Sequence, residues 1–325
     1  MKAVLHSSLP VADLLSPVLD RPLLRHIVEQ LVRRGIDRID LTFPDPDLDA
    51  IRNLLGDGSR WGIRIACHSV HFGELCDLKS TTAVLFGDAA CLPALPATFP
   101  DAPASAIFFH DRDRMSRWTG WAILRERDIP EFANRVASGL DWRTVSRACG
   151  LYPEKVFLEG LPLSAGSPKQ TLEANLTAVS GQFPGLYFDG REQQPGVWVA
   201  RGARIPATAV LTAPCYIGED AWLGEGCRIG PNAVVSPTCV VESGTIIANA
   251  VVTPGTYVGA ELEITDSVVI HNTIHNVRLE ASIEITEQHL ISPLTAGPTA
   301  PVWVKRALSV LAGAAGILLA AAFVK

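Results

Sequence analysis

The chain has 325 residues, enough for two domains that each bury a core, and its net charge is −6 at pH 7. Hydrophobic residues make up 48% and charged residues 19% of the chain, a balance that excludes an intrinsically disordered protein. The net negative charge, together with the lack of a block dense in lysine and arginine, argues against a nucleic-acid partner. Seven cysteines without a Cys-x-x-Cys pair fit a reducing compartment, and residues 1–20 do not read as a signal peptide.

The first 185 residues alternate between strand-like and helix-like segments. Pro22 lies in the first turn of one helix-like segment and Gly35 follows its last turn, which are typical positions for these residues at helix ends. Because strands that alternate with helices form a mostly parallel sheet, we expect a Rossmann-like α/β domain over residues 1–185, with ligands at the carboxyl ends of the strands. The expected strands are 2–5, 36–43, 63–67 and 82–86, and the expected helices are 21–34 and 48–55.

The middle of the chain carries a repeat with a period of six residues. An aliphatic residue recurs at every sixth position, and a mostly small residue stands four places after each one. Neither a helix nor a flat strand has this period, which is typical of hexapeptide coils whose aliphatic side chains point inward on each side of a triangle. We therefore expect a left-handed parallel β-helix over residues 197–292, less regular after Pro254, with the aliphatic positions buried. The aliphatic set is Val199, Ile205, Leu211, Ile217, Leu223, Ile229, Val235, Val241 and Ile247, and the second set is Ala203, Ala209, Cys215, Ala221, Cys227, Ala233, Cys239, Thr245 and Val251.

Cysteine and histidine residues within the repeat are candidate functional groups. Cys215, Cys227 and Cys239 occupy small inward positions, so we expect reduced, metal-free thiols that pack as small hydrophobic groups. Many hexapeptide helices are acyltransferases that need a histidine base, and His271 and His275 are the candidates for it here. Their β-branched neighbours favour a strand, which would place both rings on one face, and we favour solvated histidines over a catalytic role.

Several short motifs stand in a fixed order along residues 1–180. They are 1–5, 16–24, 33–39, Trp61-Gly62-Ile63-Arg64-Ile65, Val84-Leu85-Phe86-Gly87-Asp88, and Gly166-Ser167-Pro168 followed by Leu172-Glu173-Ala174-Asn175. Their order and spacing resemble those of sugar nucleotidyltransferases, which make nucleoside-diphosphate sugars from a sugar 1-phosphate. Bifunctional members of that family, found in surface-polysaccharide biosynthesis, also carry a β-helix after this domain. The resemblance implies a nucleotidyltransferase-like fold for residues 1–185.

The resemblance also locates differences in the phosphate and metal site. In that family a glycine-rich loop follows the first strand, whereas here residues 6–10 cross directly and the next glycine is Gly35. Asp13 stands where that family has its phosphate-contacting lysine, and Ser164 stands where it has its second magnesium-binding aspartate. Of the two aspartates that bind magnesium in that family, this chain keeps only the first, as Asp88. Nucleotidyl transfer depends on positioning and neutralising phosphates, and one carboxylate holds magnesium weakly. We predict that the fold is kept and pyrophosphorylase chemistry lost, with no tightly bound cofactor and Mg²⁺ only where residual activity exists.

Two other functions stay open at this point. An active pyrophosphorylase with an altered site would rely on Arg21, Lys79 and Asp88, and it would release pyrophosphate in a magnesium-dependent reaction. An acyltransferase of the β-helix would rely on His271 and would turn over acyl-coenzyme A. The loss of the loop, of the lysine and of the second carboxylate favours the catalytically impaired protein over the first alternative.

The last residues of the chain form an apolar segment. Residues 307–324 carry no charge, and Lys305, Arg306 and Lys325 flank them. Eighteen helical residues span about 27 Å, close to the thickness of the hydrocarbon core of a bilayer. We therefore expect a C-terminal hydrophobic helix over residues 303–325 that associates with the membrane, after a linker over residues 293–302. The basic pair places the folded domains on the cytoplasmic side.

The same segment resembles the entry helix of bacterial phosphoglycosyl transferases, which load a sugar phosphate onto a polyprenyl carrier. Lys305-Arg306-Ala307-Leu308 and Phe323-Val324-Lys325 carry this resemblance. It implies a location at the cytoplasmic face of the bacterial inner membrane and a glycosyltransferase partner in polysaccharide assembly. We also expect a homo-oligomer, such as a trimer, that forms through the β-helix.

Overall fold

A computed structural model of the chain describes residues 1–7, 9–43, 48–68, 76–77, 79–99, 106–112, 115–137, 144, 147 and 154–294. Residues Met1–Pro293 pack as one compact unit. The expected hydrophobic helix over residues 303–325 lies outside the described residues, as does all but the start of the expected linker. Within the ranges given above, no helix has the length and apolar character needed to cross a membrane.

A mixed sheet with helices against it forms the amino-terminal region. The strands are β1 (Lys2–His6), β2 (Pro17–Val18), β3 (Arg21–Pro22), β4 (Arg38–Thr42), β5 (Arg64–His68), β6 (Ala83–Asp88), β7 (Cys91–Leu92), β8 (Ala106–Arg112), β9 (Met115–Arg125), β10 (Glu154–Leu158) and β11 (Leu163–Ser164). The helices are α1 (Val11–Leu14), α2 (Leu23–Arg33), α3 (Asp49–Leu55), α4 (Ile129–Ala137) and α5 (Pro168–Val179), and 3-10 turns lie at Ser59–Trp61 and Glu126–Asp128.

The sheet has the mostly parallel centre that the alternating pattern predicts. Among the described residues its strand order is β10-β8-β9-β6-β1-β4-β5, in which β6, β1, β4 and β5 are parallel and β9 is antiparallel to both of its neighbours. The predicted first helix begins at Leu23 and not at Arg21, because Arg21 and Pro22 pair with Pro17 and Val18 as a short antiparallel ribbon. Its end is as predicted, since Gly35 follows in the left-handed region at φ +77°.

The carboxyl-terminal region is a parallel β-helix with three faces. Its strands are β12 (Arg191–Gln194), β13 (Val197–Val199), β14 (Val210–Leu211), β15 (Cys215–Ile217), β16 (Trp222–Leu223), β17 (Arg228–Ile229), β18 (Ala233–Val235), β19 (Val240–Val241), β20 (Ile246–Ala248), β21 (Ala250–Val252), β22 (Thr256–Val258), β23 (Glu263–Thr265), β24 (Ser267–Ile270), β25 (Thr273–Asn276), β26 (Ala281–Glu284) and β27 (Ile291–Pro293). The parallel ladders are β13-β15-β18-β21-β24, β14-β17-β20-β23 and β16-β19-β22.

The nine aliphatic positions of the repeat face the inside of this coil. Seven of them are buried, and Ile205 and Leu211 in the first turns are half-buried, so the structure confirms the predicted set. The cysteines of the second set also lie inside. The Cys227 thiol donates to the Glu242 carbonyl at 3.0 Å and the Cys239 thiol to the Thr253 carbonyl at 3.1 Å.

The prediction for one position of the second set, Val251, is wrong, because one turn of the coil is a residue shorter than the others before it. Cys215 pairs with Ala233, eighteen residues later, but Ala233 pairs with Ala250, only seventeen residues later. Asn249 turns this corner alone at φ +48°, a conformation that asparagine tolerates better than most residues. Val251 therefore points outward, where it lies in the same core as the amino-terminal region.

Parallel pairing ends before the predicted boundary at residue 292. It continues past Pro254 as far as Val269, and β24, β25 and β26 then form an antiparallel meander. The last strand, β27, returns antiparallel to β22.

Helix α5 joins the two regions. It packs against β18, β21 and β24 of the coil and against β2 and β11 of the amino-terminal region. The covered coil face presents buried Tyr216 and Val234 among its outward side chains, in one apolar core with Leu172 of the helix. Asn175 accepts the Leu19 amide at 2.7 Å and donates to the Pro17 carbonyl at 2.9 Å, which fixes the ribbon that precedes α2.

Candidate functional site

Four polar residues end adjacent strands at the carboxyl edge of the parallel sheet. The register aligns His6 with Asp88 on one side and with Thr42 on the other, and Thr42 with His68. The sequence predicts ligands at this edge, and these are the groups that the fold brings there. His6 Nδ1 lies 3.1 Å from the Thr42 carbonyl oxygen, and burial lowers the pKa of this histidine.

Asp88 is held by its own turn. Its Oδ1 accepts the Ala90 amide at 2.8 Å, and burial raises its pKa to about 6. Gly87 before it has no room for a side chain, because a Cβ there would lie 2.7 Å from the Trp121 ring. Trp121 is in turn anchored by its Nε1, which donates to the Cys91 carbonyl at 2.6 Å. The tight packing around this turn keeps the Asp88 carboxyl away from water, and this burial favours the neutral form of the carboxyl.

This burial predicts a pH-dependent cost in stability. Because the pKa of Asp88 is about 6 in the folded protein and 3.8 in the reference state, ionisation is harder after folding. The burial of the carboxyl has almost no effect on the free energy of unfolding below about pH 3, and it lowers this free energy by about 3 kcal/mol once the pH has risen past 6. We expect Asp88→Asn to raise the free energy of unfolding at pH 7 by up to about this amount, and by no more than about 0.5 kcal/mol at pH 4.

Urea denaturation of both proteins across this pH range measures the difference. Asp49→Asn is the matched control, because the Asp49 side chain is 79% exposed, and it should change the free energy of unfolding by less than about 0.5 kcal/mol at any pH. A constant difference between wild type and Asp88→Asn from pH 4 to pH 7 would show that the folded protein does not resist ionisation of Asp88.

The segment that carries Ser164 lies beside the Asp88 turn. Strand β11 pairs with β7, which sets Ser164 opposite Cys91, and the Ala165 amide donates to the Ala90 carbonyl at 2.9 Å. The fold thus brings together two positions that the family resemblance implies for metal binding. Ser164 Oγ lies 3.7 Å from Cys91 Sγ.

Leu9 occupies space next to this segment. Its Cδ1 lies 2.6 Å from where a Cβ on Gly166 would stand, and its side chain is partly buried against the main core. The apolar side chain of Leu9, which follows β1 in the chain, therefore lies against Gly166. An apolar side chain offers no donor to a phosphate oxygen.

The residues at this edge do not fit a magnesium ion. Magnesium prefers carboxylates, phosphates and water in a near-ideal octahedron. Here Asp88 uses one oxygen for a backbone amide, and Ser164 faces a thiol, which is a soft ligand that magnesium disfavours. In the described ranges no group of three or more His, Cys, Asp or Glu side chains is arranged to hold a metal.

The other candidate residues from the sequence lie elsewhere. Arg21 forms ion pairs with Glu29 at 3.0 Å, with Asp189 at 3.2 Å and with the adjacent Asp20. Lys79 is exposed in a turn whose amide donates to Asp77 Oδ1, and Asp13, at the expected lysine position, is half-buried on α1.

The two histidines of the repeat do not share a strand face. His271 lies in the turn between β24 and β25 at φ +55°, whereas His275 lies within β25. The expectation of two rings on one face is therefore wrong, because the chain reverses at His271 and does not continue as a strand. His275 Nδ1 lies 2.8 Å from Ser282 Oγ, and burial lowers the pKa of His275.

A buried ion cluster beneath the same sheet was missed from the sequence. Asp40 is fully buried, and its carboxylate lies 3.2 Å from Lys2 Nζ, 3.1 Å from Arg38 and 3.8 Å from His68 Nε2. Lys2 also pairs with Glu126 at 2.9 Å. Two features of the sequence could have indicated this cluster: Asp40 lies inside an apolar strand, and the neighbouring strand begins with Lys2. Because a buried charge needs a partner of opposite charge, the two residues could have been expected to pair.

Two comparisons with known proteins gave a match. Residues 195–293 match the family model described as the GMPPB C-terminal domain. No curated protein matches the chain. One similar solved structure is reported as a glucose-1-phosphate thymidylyltransferase from Bacillus anthracis in complex with sucrose. It is 13% identical, with a TM-score of 0.43, over 55% of this chain and 94% of that one. Over residues 195–293 the chain thus matches the family model of the GMPPB C-terminal domain, and the α/β domain precedes this match.

Proposed function

We propose that this protein is nucleotidyltransferase-like, has lost pyrophosphorylase activity, and serves in sugar-nucleotide or polysaccharide biosynthesis without catalysing nucleotidyl transfer. The observation that carries the proposal is the packing of Leu9 against Gly166, beside the turn that holds Asp88. A nucleotide at this edge would need donors for its phosphates and a metal to offset their charge. The residues present offer an apolar side chain and one carboxyl that burial keeps from ionising readily.

Each missing contact carries a large kinetic cost. Loss of one preorganised donor typically slows a reaction by about a hundred- to a thousandfold, or about 3 to 4 kcal/mol of transition-state stabilisation. In the family, the glycine-rich loop, the lysine and the second carboxylate all act on the same phosphates. The kinetic effects of losing them here, with Asp13 and Ser164 in place of the last two, therefore do not simply add. Even two such losses would lower the rate below that of an ordinary enzyme of this class.

Pyrophosphate release tests this proposal directly. We expect the full chain with Mg²⁺ to release no more pyrophosphate than a protein-free blank, for each common nucleoside triphosphate paired with glucose, mannose or N-acetylglucosamine 1-phosphate. A thymidylyltransferase assayed in parallel supplies the positive control. Asp88→Ala should give the same blank rate. A turnover that Asp88→Ala abolishes would refute the proposal and favour an enzyme with a rebuilt site.

The apolar residues 307–324 support a second element of the proposal, a membrane tether at the cytoplasmic face of the bacterial inner membrane. A tether would hold the folded region beside a glycosyltransferase that acts on a lipid carrier, which is the partner that we infer. The β-helix would serve in self-association. These roles rest on the sequence pattern and on the two family resemblances.

Deletion of residues 303–325 tests the tether. We expect the full chain to sediment with membranes after a carbonate wash and the shortened chain to stay in the supernatant. The double variant Leu311→Lys/Leu318→Lys keeps the length of the segment and should also be released, because a charge at the centre of a spanning helix costs about 3 kcal/mol. If the shortened chain still sediments, another surface of the protein binds the membrane.

A further inference from the structure

The three outer faces of the β-helix differ in character. Helix α5 covers the first face. The second face is mixed, with two charged residues among its outward side chains, and the third is apolar at its centre. We call this third face, on β16, β19 and β22, the aromatic face. The outward residues of the second face are Val210, Arg228, Ile246 and Glu263, and those of the aromatic face are Arg204, Trp222, Val240, Tyr257 and Ser292.

Strand register stacks the side chains of the aromatic face in one column. Arg204 aligns with Trp222, Trp222 with Val240, and Val240 with Tyr257. Trp222 and Tyr257 are both half-buried, so each residue keeps some surface in contact with solvent. Because neighbouring strands lie about 4.8 Å apart, the two aromatic residues stand about 10 Å apart along the column, with the smaller Val240 between them.

An open groove lies at the Trp222 end of the column. Its volume is about 500 Å³, within the range of small-molecule sites, and Arg204, Trp222 and Glu225 are among its lining residues. Glu225 is oriented by the Thr208 hydroxyl, which donates to its carboxylate. The groove thus presents an aromatic ring flanked by one cationic and one anionic side chain, a balanced set of hydrogen-bonding groups without excess charge.

We propose that the aromatic face binds a neutral glycan chain. A pyranose ring offers an apolar C–H face to an aromatic ring and hydroxyl groups around its rim to polar side chains. The separation of Trp222 and Tyr257 is close to the length of a disaccharide unit in an extended glycan, so the two rings stack on alternate sugars above Val240. Arg204 and Glu225 bind hydroxyl groups at one end. This proposal does not depend on whether the α/β domain is catalytic.

The dimensions of the aromatic face favour a glycan over a second copy of the protein. Its strands are two or three residues long, so the column is about 7 to 10 Å wide and, over its aligned strands, about 15 Å tall. That area is several times smaller than the roughly 800 Å² per partner of a standard protein interface. By contrast, an oligosaccharide of about three units spans the whole column, because the roughly 10 Å between the two aromatic residues already equals the length of a disaccharide.

Calorimetric titration of the full chain tests this proposal. The protein is kept in a detergent without a sugar headgroup, which would otherwise compete. The probes are cello-, malto-, manno- and xylohexaose and the corresponding disaccharides. We expect saturable binding of at least one hexasaccharide, tenfold or more tighter than its disaccharide. Trp222→Ala and Tyr257→Ala should each weaken that binding at least tenfold, whereas Trp222→Phe should stay within about threefold of wild type.

Tyr187→Ala supplies the control for an exposed aromatic residue away from the face, since Tyr187 is 59% exposed beneath the Arg33 guanidinium. It should leave hexasaccharide binding unchanged. Thermal unfolding of each variant shows whether the coil is intact. The proposal is overturned if no hexasaccharide of the panel binds, or if binding survives both alanine variants. It is also overturned if Trp222→Ala changes the sedimentation of the protein from oligomer to monomer with no glycan bound by the wild type.

Discussion

Replacing Gly218 with alanine is expected to destabilise the β-helix by about 3 kcal/mol or more, the upper part of the range for overpacking. A Cβ at this position would lie 2.4 Å from the Pro237 nitrogen and 2.5 Å from the Ser236 carbonyl carbon. Both atoms belong to the backbone of the next coil, so no side chain can turn aside to make room. The Gly218 amide donates to the Val235 carbonyl at 2.7 Å, which fixes the distance between the two coils.

Gly226→Ala is the matched control for this steric effect. No atom lies within 4 Å of a Cβ at Gly226, but its φ of +68° strains an alanine, so we expect a cost of about 1 to 2 kcal/mol. Gly224→Ala should repeat the larger effect, because its Cβ would lie 2.4 Å from the Ser243 nitrogen. Urea denaturation followed by far-ultraviolet circular dichroism measures all three. Equal costs at Gly218 and Gly226 would show that the coils separate easily.

The architecture of the coil is predictable from the sequence because its cause is local and repeated. Each hexad places one aliphatic side chain inside, and the structure confirms this from Val199 to Ile247. The shortening at Asn249 is not predictable in the same way. Any period of six continues equally well through Val251, and only the pairing with Val234 on the previous coil shows that Val251 points outward.

Part of the candidate site could likewise be predicted from a local pattern, and part could not. Asp88 and its turn could be located because Gly87 and Asp88 end an apolar run, which forms β6. The contact of Leu9 with Gly166, by contrast, joins residues far apart in the chain, and the sequence around Leu9 does not predict it. The same holds for Arg21, which lies in the motif 16–24 and is a candidate for an altered active site, although its ion partners include Asp189, distant in the chain.

Arg21 instead stabilises the contact between the two regions of the protein. Its Nε donates to Asp20 Oδ2 at 2.8 Å, and its other nitrogens reach Glu29 and Asp189. Asp20 also accepts the Asp189 amide at 2.9 Å, and the Tyr216 hydroxyl on the coil donates to the Asp189 carbonyl at 3.0 Å. Burial acts to lower the pKa of Arg21, but the hydrogen bond and charge of Asp20, together with Glu29 and Asp189, outweigh burial and raise it.

Arg21→Met is therefore expected to lower the free energy of unfolding by about 3 kcal/mol, the usual cost of leaving a buried charge without its partner. The side chains left behind are 5% exposed at Asp20 and 11% exposed at Glu29, so water cannot replace the guanidinium. Arg25→Met is the control, since Arg25 pairs with the same Glu29 at 3.0 Å but is 35% exposed, and it should cost about 0.5 kcal/mol. Adding Asp20→Asn to Arg21→Met should recover part of the loss, because it removes the buried negative charge that the Arg21 guanidinium offsets. Urea denaturation of the four proteins distinguishes the two roles of Arg21: a cost no larger than that of Arg25→Met would return Arg21 to the list of candidate site residues.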